Sequence, residues 1–311
     1  LYLTLALFLK KKIARPKPFI KRALTMFTTL AACCVVWGAL TASYFGLQLP
    51  PTNPLARCSI TQQLAIQKAD YHLKERDAVY QSYLEDYPEI ASSPSGADVL
   101  TEAVAMKEGE PIYEIRDEFE SNVLIEFALI IGILHISLSL LRYIRRNFSG
   151  IGWILAMVGA YLYFPTYLDA TSLVHYLGWL TKPMSATFGM QLMITGGSLA
   201  LFSALIQHKL RGLSELTRVI EIFADVLSYL RLYALGLAGM MLGSTFNALG
   251  AKLGLIPGIL VILVGHSINI AIGIMGGVIH GLRLNFIEWY HYSFEGGGVP
   301  FLPLSLVKRE E

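Results

Sequence analysis

Two arginines lie inside the last two long apolar segments of the sequence, where a lipid-exposed helix would exclude charge. Arg231 is fourteen residues from the start of the segment 217–249, and Arg283 is nine residues from the end of the segment 257–292. A charge at the centre of a membrane helix costs about 2.5–3.5 kcal/mol on insertion scales, so each arginine needs a partner or a function. Arginine stays protonated at working pH, and each side chain is therefore a fixed positive charge.

A fixed arginine in lipid can remove a proton, or another cation, from a carboxylic acid that approaches it. Burial raises the pKa of a carboxyl group by up to about 3–5 units. A guanidinium about 4 Å away stabilises the carboxylate by about 4 kcal/mol at an effective dielectric of 20. One pKa unit corresponds to about 1.36 kcal/mol, so the two effects are comparable. Discharge of a carboxyl group on a moving partner is therefore one interpretation, and a structural ion pair between helices is the other.

The composition shows that membrane helices must position these residues. Of the 311 residues, 54% are apolar and only 15% are charged, against about 25% charged in soluble proteins, and the mean hydropathy is +0.51. A soluble fold cannot shield so much apolar surface with so little charge. The net charge of +2 gives no indication of nucleic-acid binding, and three cysteines exclude a disulfide framework or a metal-ligand spacing.

Apolar segments of about 20 residues predict an all-α polytopic membrane bundle, because only helices satisfy their backbone within lipid at these lengths. The chain begins inside an apolar run, so residues 1–9 are predicted to be the truncated end of a helix in a longer protein. At 1.5 Å per residue the segment 217–249 would be about 50 Å long, which predicts two strongly tilted C-terminal helices. The complete spans are predicted at 24–48, 122–141, 150–168, 187–206, 217–249 and 257–292.

Lysine and arginine in the loops predict the orientation of the bundle. Fifteen of the 25 basic residues fall on one side, in 10–22, 142–146, 207–218 and the C-terminal tail, whereas the short opposite loops hold only Lys182 and Lys252. Basic residues in short loops favour the cytoplasm, so the C-terminus is predicted to be cytoplasmic.

The long 50–121 loop is then predicted to be extracytoplasmic. It carries 14 acidic and six basic residues, a net charge of −8. We expect a solvated hairpin or cap, with attraction of cations to its surface as the alternative. The predicted organisation is a truncated helix, basic loop and membrane helix at 1–49, the acidic loop at 50–121, three membrane helices at 122–206, the long tilted pair at 207–293, and a cytoplasmic tail at 294–311.

Glycines in the last segment predict how its helix packs. Gly273, Gly277 and Gly281 repeat every four residues and form a ladder of small side chains, which lets another helix approach closely. Arg283 lies on roughly the opposite side, with His280 one turn away. We expect the glycine ladder to face a neighbouring helix and the arginine to point outward toward an acidic partner.

Two motifs in these segments resemble those of a known family. Residues 228–238 (SYLRLYALGLA) resemble the penultimate-helix motif of the large membrane subunit of V-type and A-type rotary ATPases, the a subunit or subunit I. Residues 281–288 (GLRLNFIE) resemble its last-helix motif, and residues 294–301 (FEGGGVPF) resemble its ending. The order and separation of the motifs match the family, and the looser similarity extends from Leu1 onward, least so in the 50–121 loop.

The resemblance implies a stator membrane subunit that works against a rotor ring of proteolipid c/K subunits. Arg231 and Arg283 match the paired arginines that face the ring carboxylate and separate two aqueous half-channels for protons or sodium ions. The subunit would have eight membrane helices after a cytoplasmic N-terminal arm, through which the peripheral stalk and the soluble ATPase head bind. It would be no enzyme on its own and would need no cofactor, metal or nucleic acid.

Two departures from the motif bear on the type of subunit. Gly239 and Asn285 stand where eukaryotic members have histidine, which fits a bacterial or archaeal type in a prokaryotic plasma membrane and argues against a histidine relay at these positions.

Other polar residues in the two long segments are candidates for lining the half-channels. Glu221 and Asp225 would line the cytoplasmic one, with pairing to Arg218 or Arg231 as the alternative. His266 and Asn269 lie toward the outer side, where satisfied packing is the alternative. Glu126 and His135, in an earlier segment, are weaker candidates for a transport role. The full set of half-channel candidates is Glu221, Asp225, Ser228, His266, Asn269, His280 and Glu288.

Two other classes of function remain open from the residues alone. A self-sufficient secondary transporter with an Arg–carboxylate gate would be supported by inverted repeats or by a helix broken in mid-membrane, and the sequence shows neither. A structural anchor would use its arginines only to hold helices together.

Overall fold

The computed structural model describes residues 4, 7–8, 18–47, 49–107, 110–142, 144, 148–209 and 215–293. The predicted truncated helix at 1–9 falls mostly outside these residues, and the predicted tail at 294–311 falls entirely outside them. The described chain is almost wholly helical, and its one described sheet is a two-stranded antiparallel hairpin of β1 (Ala105–Lys107) and β2 (Glu110–Ile112). The predicted all-α class is confirmed.

The helices follow one another with short connections. The first half contains α1 (Pro18–Leu40), α2 (Pro54–Arg57), α3 (Ile60–Glu75), α4 (Ala78–Asp86), a 3-10 turn (Pro88–Ser92) and α5 (Gly96–Glu102). The second half contains α6 (Glu114–Arg142), α7 (Ser149–Tyr167), α8 (Leu173–Tyr176), α9 (Lys182–His208), α10 (Glu215–Ser228), α11 (Leu230–Lys252), α12 (Leu255–Arg283), a π-helical segment (Leu284–Trp289) and α13 (Tyr290–Ser293).

Five described helical stretches are long and apolar enough to cross a membrane. They are Pro18–Leu40, Glu114–Arg142, Lys182–Gln207, Thr217–Lys252 and Leu255–Tyr292. The span predicted at 150–168 is also helical, as the 19-residue α7, but it is not among the five. The protein is thus a polytopic helical membrane protein with five candidate spans among its described residues, one fewer than the six complete spans predicted.

The first of the two long C-terminal helices is interrupted. The prediction of one helix over 217–249 is corrected to α10 and α11, which meet at Tyr229. The Ser228 hydroxyl lies 2.8 Å from the Asp225 carbonyl oxygen, and the Tyr229 N–H donates to the Val226 oxygen at 3.2 Å, three residues back rather than four. A serine that bonds to its own backbone competes with the helical ladder and bends a helix at such a point.

Helices α7 and α9 pack backbone to backbone. Gly152 of α7 faces Gly196 of α9, and Gly159 faces Gly189. The two glycines within each helix are seven residues apart. A Cβ on Gly196 would lie 2.5 Å from the Ala156 nitrogen, and one on Gly189 would lie 2.6 Å from the Tyr163 nitrogen. Only glycine permits this approach, because any side chain would overlap the facing backbone.

Residues 49–107 and 110–113 form a small helical cap that sits on the beginning of α6. Helices α3, α5 and α6 enclose an apolar core, so the 50–121 loop is folded and not merely a solvated hairpin. The core residues are Ala65, Ala69, Tyr80, Ile90, Val99, Leu100, Ala103, Ile115 and Phe119. Asp77, the N-cap of α4, accepts a hydrogen bond from the Tyr80 N–H and lies 2.8 Å from the buried His72 Nδ1.

The main membrane core forms around the second half of α6. This helix contacts α7, α10, α11, the π segment and α13. The core residues are Ile136, Leu140, Trp153, Met157, Ala200, Ile222, Tyr229 and Leu284. Helix α6 therefore places its side chains against both halves of the interrupted helix and against the end of the last one.

Candidate functional site

The interruption at Tyr229 lies against the π-helical segment at the end of the last long helix. The Ser228 hydroxyl, which has a single proton, lies 2.7 Å from Glu288 Oε1 and 2.8 Å from the Asp225 carbonyl oxygen, so these two acceptors share one donor. Glu288 is 1% exposed, and its Oε2 has no hydrogen-bond partner among the described residues. Arg283 Nε lies 3.9 Å from Glu288 Oε1, and the Arg283 side chain is 50% exposed. The interruption at Tyr229 and the π-helical segment thus meet around one buried carboxyl group. Irregularities of both kinds are often found at functional sites.

Asp225 connects α10 with the short helix α13. The Tyr292 hydroxyl donates to Asp225 Oδ2 at 2.6 Å, and His291 Nδ1 lies 3.6 Å from the same oxygen. The other ring nitrogen of His291 lies 3.8 Å from Glu221 Oε2. Glu221 and Asp225 therefore share His291 as a partner, and the Asp225 carbonyl oxygen lies 2.8 Å from the Ser228 hydroxyl. The predicted alternative of pairing between these acids and Arg231 is not what the structure shows.

Helix α6 is the third helix that contributes side chains to this cluster. His135 Nδ1 forms a short hydrogen bond with the Tyr229 hydroxyl, and the imidazole stacks on Trp289 at 4.6 Å with an interplanar angle of 24°. The Ser139 hydroxyl donates to the Trp289 carbonyl oxygen at 2.7 Å. Gly132 leaves room for the Tyr229 ring, because a Cβ there would lie 2.9 Å from Tyr229 Cδ2.

Arg231, two residues beyond the interruption, stands apart from the polar cluster. The side chain is half-buried, and its Nη1 is buried without a hydrogen-bond partner in the described part of the chain. None of the described acids forms an ion pair with Arg231. The intrachain ion pair that the sequence analysis gave as an alternative for this arginine is therefore absent from the described part of the chain. His280 is similar, since its Nδ1 is buried and makes no hydrogen bond to any described residue.

The outer candidates take part in packing. His266 Nε2 lies 2.9 Å from Asn247 Oδ1, and the Asn247 amide donates to the Phe45 carbonyl oxygen at 2.9 Å. The Phe45 ring meets the His266 ring edge-on at 5.9 Å. Asn269 donates to the Gly239 carbonyl oxygen at 2.8 Å, which ties α12 to α11. These contacts correspond to the packing alternative given for His266 and Asn269.

The predicted packing of the glycine ladder is not what the structure shows, whereas Arg283 is half exposed and lies near an acid. A Cβ on Gly273, Gly277 or Gly281 would have nothing within 4 Å, so this ladder faces open space among the described residues. Arg283 has its nearest acidic partner, Glu288, in the adjoining turn of its own chain. The helix turns Gly265 and Gly276 toward α11 instead, where they meet Phe246 and Leu235.

The structure thus brings together five of the predicted residues and leaves the others elsewhere. Glu221, Asp225, Ser228, Arg283 and Glu288 form the cluster with His135, Tyr229, Trp289, His291 and Tyr292. Of the added residues, only His135 was considered for a transport role from sequence. The run of aromatic and imidazole side chains at 289–292, directly after Glu288, was the available signal for three others. Within the described residues, no three His, Cys, Asp or Glu side chains are placed to hold a metal ion.

Comparison with known proteins identifies relatives along the whole chain. A protein of Chlamydia pneumoniae named V-type ATP synthase subunit I is 47% identical over 315 residues, which cover 100% of this chain and 48% of that protein. The protein of the same name in Chlamydia muridarum is 44% identical over 99% of this chain and 48% of its own length. The A-type ATP synthase subunit I of Archaeoglobus fulgidus is 36% identical over 94 residues, 28% of this chain and 14% of that protein.

Two further comparisons gave no match. No family model matches the chain, and no solved structure matches it significantly. The chain spans about half the length of the relatives from the two Chlamydia species. The family resemblance that the two arginine motifs predict is confirmed: this chain is homologous along its whole length to V-type ATP synthase subunit I.

Proposed function

We propose that this chain is part of the stator membrane subunit of a V/A-type rotary ATPase. In this proposal it forms two ion half-channels against the rotor ring and couples translocation of protons or sodium ions to ATP synthesis or hydrolysis. The observation that carries the proposal is Arg231, a fixed charge in a membrane-length helix whose Nη1 is buried and has no partner among the described residues. Homology to subunit I supplies the class of complex.

A guanidinium without an anionic partner is costly within a membrane bundle. A buried charge without a partner costs several kcal/mol in a protein interior, so Arg231 requires an anion that this part of the chain does not supply. A carboxylate on a neighbouring rotor subunit meets that need each time it passes. Because arginine does not give up its proton, it releases the ion from that carboxyl group without itself becoming a carrier.

The helix that would meet the rotor has a surface suited to close approach. Gly273, Gly277 and Gly281 leave an open strip along α12. Apolar side chains flank the strip, and Ile274, Met275 and Val278 are all exposed. Small residues in a membrane helix let a second helix pack at short range. We therefore assign the ladder to the rotor side, in place of the intrachain contact expected from sequence.

The polar residues divide between the two ends of the α11–α12 pair. Glu221, Asp225, Ser228 and Glu288 lie at the end that the basic loops predict to be cytoplasmic, and we assign them to that half-channel with Arg283 at its inner limit. His266 and Asn269 lie toward the other end, His266 beside Asn247 and Asn269 beside Gly239. We also assign His280, one turn from Arg283, to adjusting the field around that arginine, since its buried Nδ1 makes no hydrogen bond to any described residue.

The remaining parts of the proposal concern the whole subunit. Its partners are the proteolipid c/K ring, the lipid bilayer, and, through an N-terminal arm, the peripheral stalk and the soluble head. The chain contributes no nucleotide site of its own. The complex would lie in a prokaryotic plasma membrane with the C-terminus of this chain in the cytoplasm.

One structural feature favours a second candidate, a self-sufficient secondary transporter. Such transporters bind ions at broken membrane helices, and the helix here is interrupted at Tyr229. The interruption is a single residue, however, and hydrogen bonds cross it: the Leu232 N–H donates to the Tyr229 carbonyl oxygen at 2.9 Å. The Tyr229 N–H also donates to the Val226 carbonyl oxygen at 3.2 Å, so both backbone groups of the interrupting residue are bonded and the stator function is favoured. A purely structural anchor is disfavoured by the partnerless Nη1 of Arg231.

The test is ion pumping by the complete complex, reconstituted in vesicles, with Arg231→Ala against wild type. The matched control is Arg142→Ala, which removes an exposed arginine from the end of α6. We expect Arg231→Ala to abolish pumping while assembly and ATPase activity of the detached head stay normal, and Arg142→Ala to pump like wild type. Normal pumping by Arg231→Ala would refute the proposed role, and pumping by the chain without a ring would favour the transporter.

A further inference from the structure

The turn that follows α1 has an irregular backbone and lies beside a membrane-length helix. Ala42, Phe45 and Gly46 have φ angles of 50°, 53° and 70°, a conformation that residues with a side chain seldom adopt. The turn meets α11 at Asn247, five residues or about 8 Å before this helix ends at Lys252. Lipid offers no hydrogen bonds to an irregular backbone, so protein or water must satisfy it.

The turn docks on α11 through a contact between two backbones. A Cβ on Gly46 would lie 2.4 Å from the Ser244 nitrogen and 2.5 Å from the Gly243 carbonyl carbon. Gly243 is buried, and a Cβ on it would meet Gly46 Cα at 3.4 Å. Helix α1 itself has no buried residue, so the turn fits against α11 and the helix before it does not. Glycine is required at position 46 both by its positive φ and by this close approach.

Asn247 connects the turn with the last long helix. Its amide nitrogen donates to the Phe45 carbonyl oxygen at 2.9 Å, and its Oδ1 lies 2.9 Å from Nε2 of His266 in α12. An amide oxygen can only accept, so His266 Nε2 carries a hydrogen in this arrangement. The Phe45 ring also meets the imidazole edge-on at 5.9 Å. One side chain thus satisfies the irregular backbone and fixes the tautomer and position of an imidazole on another helix.

We propose that residues 41–47 form a strap that holds α11 and α12 together and, through Asn247, sets the position of His266. The inference rests on the proposed function, which assigns His266 to the outer half-channel. It adds Gly46 and Asn247 as positioning residues that act through the imidazole. Gly46 lets the strap reach α11, and Asn247 transmits the position of the strap to the ring of His266.

A packing role alone makes a different prediction. If the strap only filled space, its displacement would impair the complex equally with and without the imidazole of His266. If the strap acts through His266, removal of that ring must remove the effect of displacing the strap. Gly178 offers a matched control, because its φ is 74° but a Cβ on it would have nothing within 4 Å. Gly46→Ala and Gly178→Ala therefore share the backbone penalty and differ in the contact with α11.

The first experiment measures modification of His266 by diethyl pyrocarbonate in the complete complex, followed by mass spectrometry of its peptides. The reagent attacks a ring nitrogen with a lone pair, and Nε2 has none while it donates to Asn247. We expect Gly46→Ala and Asn247→Leu to speed this modification severalfold and Gly178→Ala to leave it unchanged. His291, half exposed at the other end of the helix pair, is the internal reference. A wild-type rate in both strap variants, or an equal increase in Gly178→Ala, would overturn the inference.

The second experiment measures ATP-driven pumping by the reconstituted complex. Gly46→Ala must relieve an overlap of about 1 Å, and a misplacement of that size can cost up to about 10²-fold in rate. We expect Gly46→Ala to slow pumping about tenfold or more when His266 is present and to add no slowing to His266→Ala. No slowing, or equal slowing in both backgrounds, would overturn the inference.

Two further variants keep the test decisive. If Gly46→Ala fails to assemble, Asn247→Leu in the same two backgrounds decides, because it removes both hydrogen bonds and leaves the backbone contact of Gly46 intact. Arg231→Ala separates the two proposals. Continued pumping by Arg231→Ala refutes the rotary function, whereas lost pumping together with unchanged modification of His266 in the strap variants refutes only the strap.

Discussion

The contact between α7 and α9 allows a sharp test, because adjacent glycines of α9 have opposite surroundings. Gly196 lies against the backbone of α7, where an added Cβ would be 2.5 Å from the Ala156 nitrogen and 2.7 Å from the Gly152 oxygen. A Cβ on Gly197 would have nothing within 4 Å. The same substitution at both positions therefore isolates the cost of separating the two helices.

The magnitude follows from the overlap. Ordinary contact begins near 3.4 Å, so Gly196→Ala forces the helices about 1 Å apart at this point. A gap of about 0.5–1 Å forfeits a quarter to a half of each dispersion contact along the pair. Overpacking of this kind costs about 1–3 kcal/mol, from which about 1 kcal/mol is regained because alanine favours helix over glycine. We expect a net destabilisation of about 0–2 kcal/mol for Gly196→Ala and a stabilisation of up to about 1 kcal/mol for Gly197→Ala.

The assay is reversible denaturation of the purified subunit in lipid-detergent micelles, followed by the fluorescence of its tryptophans. Trp153 lies in α7 and is buried in the membrane core, so its emission reports separation of this helix pair. The informative quantity is the difference between the two variants, since helix propensity is the same in both. Equal stability of Gly196→Ala and Gly197→Ala would refute the reasoning, because it would mean that the backbones do not touch at Gly196.

Two further perturbations act on single polar contacts. Ser228→Ala removes the described hydrogen-bond donor of the buried Glu288 and should destabilise the subunit by about 1–3 kcal/mol in the same denaturation assay. Ser228→Thr keeps a hydroxyl and should lose less stability. Equal losses in the two variants would contradict the role of this hydrogen bond. The cap should lose stability in acid. Burial lowers the pKa of His72, so the unfolded chain binds a proton more readily, and stability falls as the pH drops below about 6.5. Burial alone would raise the pKa of Asp77, but its hydrogen bonds from His72 and Tyr80 outweigh this and lower it, which adds a further loss below about pH 4. Thermal denaturation of wild type and His72→Gln at pH 7.5 and 5.5 measures the first effect; a wild type more stable at pH 5.5 would contradict the sign.

The helical class could be predicted from sequence because lipid imposes one solution on a long apolar segment. The break at Tyr229 could not, since it arises from local hydrogen bonds of Ser228 and from the space that Gly132 leaves in another helix. The glycine ladder shows the same limit. Gly273, Gly277 and Gly281 have the spacing of a packing surface but face open space among the described residues, whereas the seven-residue repeats in α7 and α9 bring two backbones into contact. Spacing shows which residues share a face, and only the fold decides what covers it.

The charged and polar residues of the cluster could be singled out from the sequence, but the residues that they contact could not. Glu221, Asp225, Ser228 and Glu288 stand out as polar residues in apolar helices, but their partners come from elsewhere in the chain. His291 and Tyr292 reach Asp225 because the π segment shifts the register of the last turns. His135 reaches the cluster because α6 crosses it, a relation between residues about one hundred positions apart that hydropathy does not encode.

Helix α6 also connects the core of the cap with the core of the membrane bundle. Its first turns place Ile115 and Phe119 in the core of the cap, and its last turns place Ile136 and Leu140 in the core of the bundle. A rigid rod of 29 residues shared by two cores cannot lose one end without weakening the other. Amide hydrogens at both ends should thus exchange with solvent through common openings, and damage outside the membrane, such as a proteolytic cut in the cap, should loosen the helices around Glu288.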